Sequence, residues 1–327
     1  MLKNKSALTL SILISALAMT ACQPKADQKK NTDQAPASVV APDTTTLRLE
    51  GSTEKVPVQL KECHGNSCPE FSIDRLHTNQ FVVDDMIDAE ILKSLDQMLD
   101  IGQLKKDIRV DKDHSRAQNS ASQVVQESSA VQAPVKTAAE QMAVQIQPYV
   151  NAFQALDQEL KTLGASSQLK LSISPKILNS DGPLVTVVLN TSSFMGGAHG
   201  SSAQSYYNFD LKKQTLLPLD QLIQPGQKAQ LEKLAYAAFQ KWVMDARLAS
   251  SISEYEQAWK FHLSNNYYLA KQGLILQYGE YDIGPYVVGL PRFELPYAQL
   301  QDILKKEYLP APVQQDASAV AASKAGS

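Results

Sequence analysis

The stretch LKLSISPKILNSDGPLVTVVLNTSSFMGGAHG, residues 169–200, contains the pattern that decides the fold class. Apolar residues occupy every second position from Leu169 to Ile173 and again from Val185 to Leu189. A period of two is typical of strands that bury one face, and Asp181-Gly182-Pro183 between the two runs predicts a turn. This stretch therefore predicts an antiparallel hairpin that leads into a glycine-rich segment.

Helices are expected on both sides of this hairpin, because apolar residues there recur at spacings of three and four. One helix is expected from Asp84, with Asp84 or Asp85 as its N-cap, and a second covers 137–163 before Gly164. A third is expected over 226–247, with Leu231, Leu234, Ala238 and Trp242 facing inward.

Further short strands complete the predicted fold. They are expected at 45–60, 71–76, 206–211, 215–217, 259–263, 267–269, 274–276 and 292–295, with a closing helix at 297–306. Strands in series with helices around them indicate an α+β class: an antiparallel sheet with helices packed on one face, divided into two α/β subdomains.

Composition excludes several functional classes. The 327 residues carry 31 Lys and Arg against 34 Asp and Glu, a net charge of −3, whereas a nucleic-acid-binding surface is clearly basic. No dinucleotide fingerprint, phosphate-binding loop, GxSxG elbow or HExxH helix is present, so no cofactor is expected. Three Cys and five His leave little material for a metal site.

The N-terminus carries a targeting pattern. Lys3 and Lys5 precede an apolar run, 7–18, that is too short to span a membrane and ends at Met19-Thr20-Ala21-Cys22. This arrangement resembles a bacterial lipobox, which predicts removal of residues 1–21 and acylation of Cys22. Because Gln23 and not Asp follows, we expect an outer-membrane lipoprotein that faces the periplasm. The alternative is an ordinary signal peptide with an incidental cysteine.

Compositional changes divide the rest of the chain. The expected divisions are a disordered tether at 22–46, an N-terminal α+β region at 47–164 with a low-complexity insertion at 112–136, a C-terminal domain at 165–309 and a disordered tail at 310–327.

The motif CHGNSC contains the two remaining cysteines, Cys63 and Cys68. Outside the cytoplasm a leftover pair favours a disulfide, and a loop this short would stabilise the fold by about 2 kcal/mol. The alternative is a metal site that adds His64 and His77, although it would need free thiolates in an oxidising compartment.

The segment FMGGAHG places His199 among three glycines. Gly196 and Gly197 permit a sharp turn or close approach to a ligand. His199 is interpreted in three ways: it bonds backbone groups of a tight connection, it contacts a ligand, or it takes part in catalysis.

Several ordered motifs, taken with this segment, identify a family resemblance. They are GGAHG at 196–200, YNFDL at 207–211, LPLDQL at 217–222, YGEYDIGPY at 278–286 and LPY at 295–297. They resemble the RsiV-like family of domains of unknown function, which ends the anti-sigma factor RsiV and also occurs in the deacetylase PdaC. The resemblance implies an extracytoplasmic binding module, since this domain binds lysozyme in RsiV and PdaC carries its chemistry on a separate domain.

The resemblance also implies where a partner would bind, namely the sheet face and loops near the two glycine-containing motifs. The expected contact residues are Gly196, Gly197, His199, Tyr278, Glu280, Tyr281, Asp282 and Tyr286. Tyrosines suit this role because they bury a large area at a small entropic cost.

Three functions follow from these observations. The first is a lipid-anchored periplasmic binding protein that engages peptidoglycan or a lysozyme-like wall-degrading enzyme, without catalysis. The second is a cell-wall hydrolase that uses His199 with Glu280 or Asp282, two carboxylates that would be neighbours on one strand. The third is a structural envelope lipoprotein without a ligand.

Overall fold

The computed structural model describes residues 47–65, 67–99, 136–182 and 184–310. They form a six-stranded sheet, a three-stranded sheet and six α-helices. The first sheet contains, in order, β1 (Gly51–Lys55), β2 (Glu70–Thr78), β3 (Lys170–Asn179), β4 (Val185–Phe194), β5 (Ser201–Asp210) and β6 (Thr215–Leu216). The second contains β7 (Tyr267–Leu269), β8 (Gly273–Gln277) and β9 (Arg292–Pro296).

The α+β class is confirmed, with one correction to the expected sheet. All neighbouring strands are antiparallel except β2 and β3, which run parallel with Glu70 opposite Lys170. Two helices, α1 (Phe81–Leu99) and α2 (Ala138–Thr162), lie in the chain between β2 and β3. A parallel pair requires such a long connection.

The first hydrophobic core lies between this sheet and the two helices. Ile87, Ile91 and Leu95 of α1 are fully buried, as their spacing predicts. Phe71 of β2 and Phe153 of α2 meet edge to face with ring centroids 5.3 Å apart. Rings in this geometry add to the stabilisation that burial of apolar area supplies.

The helix α1 begins at Phe81, before the predicted start at Asp84. The Asp84 carboxylate accepts hydrogen bonds from the Thr78 backbone N–H (2.9 Å) and from the Thr78 hydroxyl (2.7 Å). It therefore joins the first turn of α1 to the end of β2, so neither Asp84 nor Asp85 caps the helix.

The helix α2 keeps close to its predicted bounds, and of its two end signals only Gly164 was predicted. Thr137 and Glu140 form a reciprocal capping box at the start. Gly164 follows the C-cap residue Leu163 and has a φ of 85°, the left-handed conformation in which helices commonly end.

The second core packs α4 (Lys228–Asp245) against the three-stranded sheet. Its buried stripe consists of Leu231, Ala235, Phe239 and Val243. The predicted inward residues Leu234, Ala238 and Trp242 lie beside this stripe and are only partly buried.

Short elements differ from prediction around this core. Residues 259–263 are irregular and not a strand, and the expected closing helix at 297–306 is only α6 (Tyr297–Leu300) followed by a 3₁₀ turn at Lys306–Tyr308. Two other short helices complete the set, α3 (Leu219–Leu222) and α5 (Ile252–Tyr255).

Residues on both sides of the expected boundary at 164 contribute strands to the six-stranded sheet, because β2 pairs with β3. The two apolar clusters divide elsewhere in the chain: the buried residues of the first lie between Leu49 and Phe209, and those of the second, apart from Leu184, lie between Leu217 and Tyr308. Expected subdomains at 47–164 and 165–309 therefore do not coincide with the two cores.

Cys63 and Cys68 form a disulfide, with Cα atoms 5.7 Å apart. The bond joins both sulfurs and confirms the first of the two interpretations of this pair. Within the described ranges no helix has the length and apolar composition needed to cross a bilayer. Cys22, the tether, the insertion at 112–135 and the tail beyond 310 lie outside the described residues.

Candidate functional site

The glycine-rich segment turns the chain between β4 and β5. Gly196 has a φ of 84°, and a Cβ there would lie 2.8 Å from Leu160 Cδ1. The left-handed backbone conformation favours glycine at this position, and the end of the Leu160 side chain would have to shift to admit a Cβ. Gly197 is exposed and meets neither condition. The turn leaves His199 exposed at its end.

The second predicted motif, 278–286, is a turn and not a strand, which corrects the expectation that Glu280 and Asp282 are strand neighbours. Tyr281 at its tip has a φ of 61°. This left-handed conformation costs a non-glycine residue about 1–2 kcal/mol, so the surrounding contacts must hold it.

Tyr278 belongs to the core. Its side chain is 1% exposed and its hydroxyl donates to the His262 carbonyl at 2.9 Å. Burial raises the pKa of the Tyr278 phenol above its ordinary value. Tyr278 is therefore not accessible to a ligand, in contrast to the prediction.

His199, Tyr281 and Tyr286 come together as predicted. The His199 and Tyr286 rings stack with centroids 3.9 Å apart, and the Tyr281 hydroxyl lies 3.1 Å from His199 Nε2. His199 Nδ1 lies 3.0 Å from the Gly200 carbonyl, and the Tyr286 hydroxyl donates to the same oxygen at 3.0 Å. Because a carbonyl only accepts, we assign the proton to Nδ1, so neutral His199 accepts from Tyr281 through Nε2.

Trp259 extends this group of rings, which we call the ring cluster: Trp259, His199, Tyr281 and Tyr286. The Trp259 and Tyr281 centroids are 6.5 Å apart, and the ring planes differ by 29°. Trp259 was predicted to be a strand residue without a role in the site. The backbone around Trp259 is irregular, so the spacing of apolar residues there does not indicate where the Trp259 side chain lies.

The Glu280 carboxylate joins the turn to β5. Oε1 accepts from the Ser202 backbone N–H at 2.9 Å and the Ser202 hydroxyl at 2.8 Å, and Oε2 accepts from the Ser201 hydroxyl at 2.9 Å. Desolvation disfavours the charge, but these hydrogen bonds outweigh it and hold the pKa of Glu280 below its ordinary value. Sequence reasoning did not select either serine.

Asp282 has a different partner. Its Oδ1 lies 3.1 Å from His262 Nε2, and its Oδ2 accepts from the Gly279 backbone N–H at 3.4 Å. Glu280 and Asp282 thus point to separate elements, and together with Tyr281 they fix the turn at three points.

A hydrolytic mechanism would have a carboxylate orient His199. In the described residues both His199 nitrogens are instead engaged by the Gly200 carbonyl and the Tyr281 hydroxyl. The predicted partners Glu280 and Asp282 bond to serines and to His262. The arrangement positions aromatic rings and carboxylates at the surface, which suits binding.

The ring cluster lies at the surface, with Trp259 partly buried against the second core. Tyr281 is 50% exposed, Tyr286 36% and the neighbouring Val287 87%. Two cavities of about 480 Å³ lie elsewhere, one near Leu178 and Tyr268 and one beside α1, and no ring-cluster residue lines either. The described residues contain no group of three or more potential metal ligands.

Part of this site lies in a segment that is similar to a known family. Residues 220–298 match the model described as a protein of unknown function, DUF3298. This similarity covers about a quarter of the chain. The matched segment includes Trp259 and the whole 278–286 turn, whereas His199, Ser201 and Ser202 precede it in the chain. The RsiV-like resemblance is consistent with this family.

One curated relative is the peptidoglycan-N-acetylmuramic acid deacetylase PdaC of Bacillus subtilis (strain 168), 22% identical over 162 residues. The match covers 49% of this chain and 34% of the relative, so the chain spans about a third of the length of the relative it matches.

Two solved structures align with most of this chain, and the first of them supports the fold class. A DUF3298 family protein from Pseudomonas aeruginosa PAO1 aligns with a TM-score of 0.52 and 21% identity, covering 81% of this chain and 97% of that one. A second member, from Bacteroides fragilis NCTC 9343, has a TM-score of 0.48 and 15% identity, covering 80% and 96%.

Proposed function

We propose that this protein is a lipid-anchored binding protein of the cell envelope that engages a cell-wall component or a wall-degrading enzyme through the ring cluster. The observation that carries the proposal is the exposed group of His199, Tyr281 and Tyr286, held in place by hydrogen bonds that join the β4–β5 segment to the turn after β8.

Two features support binding over catalysis. Fixed, exposed tyrosines are typical of contact residues because little rotamer entropy remains to be lost on binding. Neither predicted carboxylate bonds to His199 in the described residues. The distant relationship to PdaC, whose name refers to peptidoglycan, supports the wall as the setting.

Calorimetry of the purified protein against a lysozyme and against soluble muropeptides tests the proposal. We expect binding to one of the two, weakened about tenfold by Tyr281→Ala and by Tyr286→Ala, since contact residues of this kind contribute more than about 1 kcal/mol each. Phe81→Ala, which removes a 74% exposed ring on α1, is the matched control and leaves affinity unchanged. Absence of heat with both ligands, from folded protein, refutes the proposal.

Anchoring is proposed from the lipobox and tested separately. Acyl chains on Cys22 would supply the attachment, so Cys22→Ala is expected to release the protein from membranes or to stop its maturation. Fractionation and mass spectrometry of the two forms decide this. A variant that matures normally and stays with membranes refutes the lipid anchor without affecting the binding proposal.

A further inference from the structure

We propose that the ring cluster recognises an arginine side chain of a basic partner protein, with the guanidinium inserted between Trp259 and Tyr281. This inference rests on the proposed function and names the chemical group that the same site selects. It depends on the spacing of two rings and on the charges of the turn that carries one of them.

The ring spacing fits a planar group. The centroids of Trp259 and Tyr281 are 6.5 Å apart, with planes 29° from parallel. A flat group in contact with both rings needs about 7 Å, twice the contact distance of about 3.5 Å between carbon atoms. Tyr281 is half exposed, so its side chain can rotate outward to give this space at the expense of its hydrogen bond to His199, while the backbone of the turn stays in place.

The charges around these rings select a cation. Tyr281 lies between Glu280 and Asp282 in the chain, and the pKa of Glu280 is held low by its serine donors despite desolvation. In the described part of the chain neither carboxylate forms an ion pair with Lys or Arg, and the contact of Asp282 is with the His262 ring. The turn thus keeps negative charge that no fixed cation neutralises.

Ring faces and carboxylates together favour arginine over lysine. A cation over the face of Trp or Tyr is attracted by the negative charge of the ring face, and Trp gives the strongest contact. The guanidinium is planar and weakly hydrated, so it can stack on two rings at once, whereas the compact ammonium of Lys holds its water more tightly.

The test uses the full protein and three capped tripeptides, acetyl-Gly-X-Gly-amide, in which X is arginine, citrulline or lysine. Citrulline keeps the shape of arginine without its charge. We expect the Trp259 indole N–H resonance to shift on titration with the arginine peptide and to saturate in the millimolar range. The citrulline peptide should leave it unchanged, and the lysine peptide should bind several-fold more weakly.

Two variants locate the effect. Glu280→Gln should weaken the arginine peptide several-fold and reduce the salt dependence of its binding, because the screened charge is gone. Trp259→Leu should abolish binding. The Trp242 indole, in the second core, is the internal control and should not move. The citrulline comparison needs no variant and stays decisive even if Trp259→Leu does not fold.

Equal shifts from the arginine and citrulline peptides, or no shift at Trp259, overturn the inference. In that case the proposed function stands alone, provided that a lysozyme or muropeptides bind and the binding requires Tyr281 and Tyr286. We call the arginine site between Trp259 and Tyr281 the slot. If only the arginine peptide binds, the slot stands and the proposed wall-related function fails.

Discussion

The two cores of this protein differ in how they are built and in how they are joined. The first is mainly aliphatic and closed by continuous strand ladders from β2 to β5. The second centres on Phe239, whose ring neighbours are Tyr236, Trp242, Tyr255, Phe261 and Phe293. Each core holds its own apolar residues together.

Side-chain amides connect the two sheets where no ladder joins them. Asn266 accepts from the Tyr206 backbone N–H at 2.8 Å and donates to the Gln204 carbonyl at 2.7 Å. The buried Asn208 donates to the Tyr267 carbonyl at 2.7 Å. Glu280 adds its bonds to Ser201 and Ser202 near the surface.

This difference shows what the candidate site depends on. His199 belongs to the segment between β4 and β5, while Tyr281 and Tyr286 follow β8. The ring cluster therefore spans the contact between the two sheets, which we call the joint. Its geometry requires the two cores to keep a fixed position relative to one another. Hydrogen bonds are directional, so amides and a carboxylate can fix that position where apolar packing alone would not.

The largest expected effect on stability comes from truncating a large buried side chain in either core. Phe153→Ala in the first core and Phe239→Ala in the second should each lower the free energy of unfolding by about 3–5 kcal/mol. Because the amide bonds couple the cores, we expect one shared transition in both variants, measured by calorimetry and by circular dichroism. Two transitions, with only one displaced, would show that the cores unfold independently.

A smaller effect should come from the joint itself. Asn208→Ala leaves the buried Tyr267 carbonyl and the Thr186 hydroxyl without their partner, which should cost about 2–3 kcal/mol. We expect the calorimetric transition to broaden or split as well, since the coupling is reduced. Asn190→Ala is the control: Asn190 is half-buried and its bonds stay within the first sheet, so its loss should leave a single transition.

Periodicity predicted much of the first core but only Leu231 of the buried stripe on α4 in the second. The alternation from Val185 to Leu189 gave β4, and the stripe of Ile87, Ile91 and Leu95 faces the first core. Apolar periodicity could not predict the parallel pairing of β2 with β3, because that pairing depends on the path of the chain through α1 and α2. The start of α1 was misplaced because Asp84 resembles an N-cap but bonds to Thr78.

The site was only partly predictable for the same reason. Its glycines and tyrosines mark a motif, and His199, Tyr281 and Tyr286 do come together. The motif could not separate Tyr278, which is buried, from Tyr281, which is exposed. The Glu280 bonds to Ser201 and Ser202 link residues nearly eighty positions apart, and no local pattern indicates such a contact.

The smallest expected effect is the pH dependence of the joint. Desolvation opposes the charge of Glu280, but its serine donors hold the pKa below its ordinary value in the folded protein. Folding therefore gains stability from Glu280 above the unfolded pKa, near 4.5, and loses it as the pH falls through the lower folded value.

Glu280→Gln should accordingly cost only about 0.2–1 kcal/mol at neutral pH, the range measured for exposed charged contacts, and progressively less as the pH falls below 4.5. Urea unfolding of both proteins between pH 3 and pH 7 measures the difference. Glu294→Gln, at an exposed position of β9 without a side-chain hydrogen bond in the described residues, should show no such trend. If the cost of Glu280→Gln stayed constant with pH, the carboxylate charge would have no part in joining the turn to β5, and the joint would rest on the amides alone.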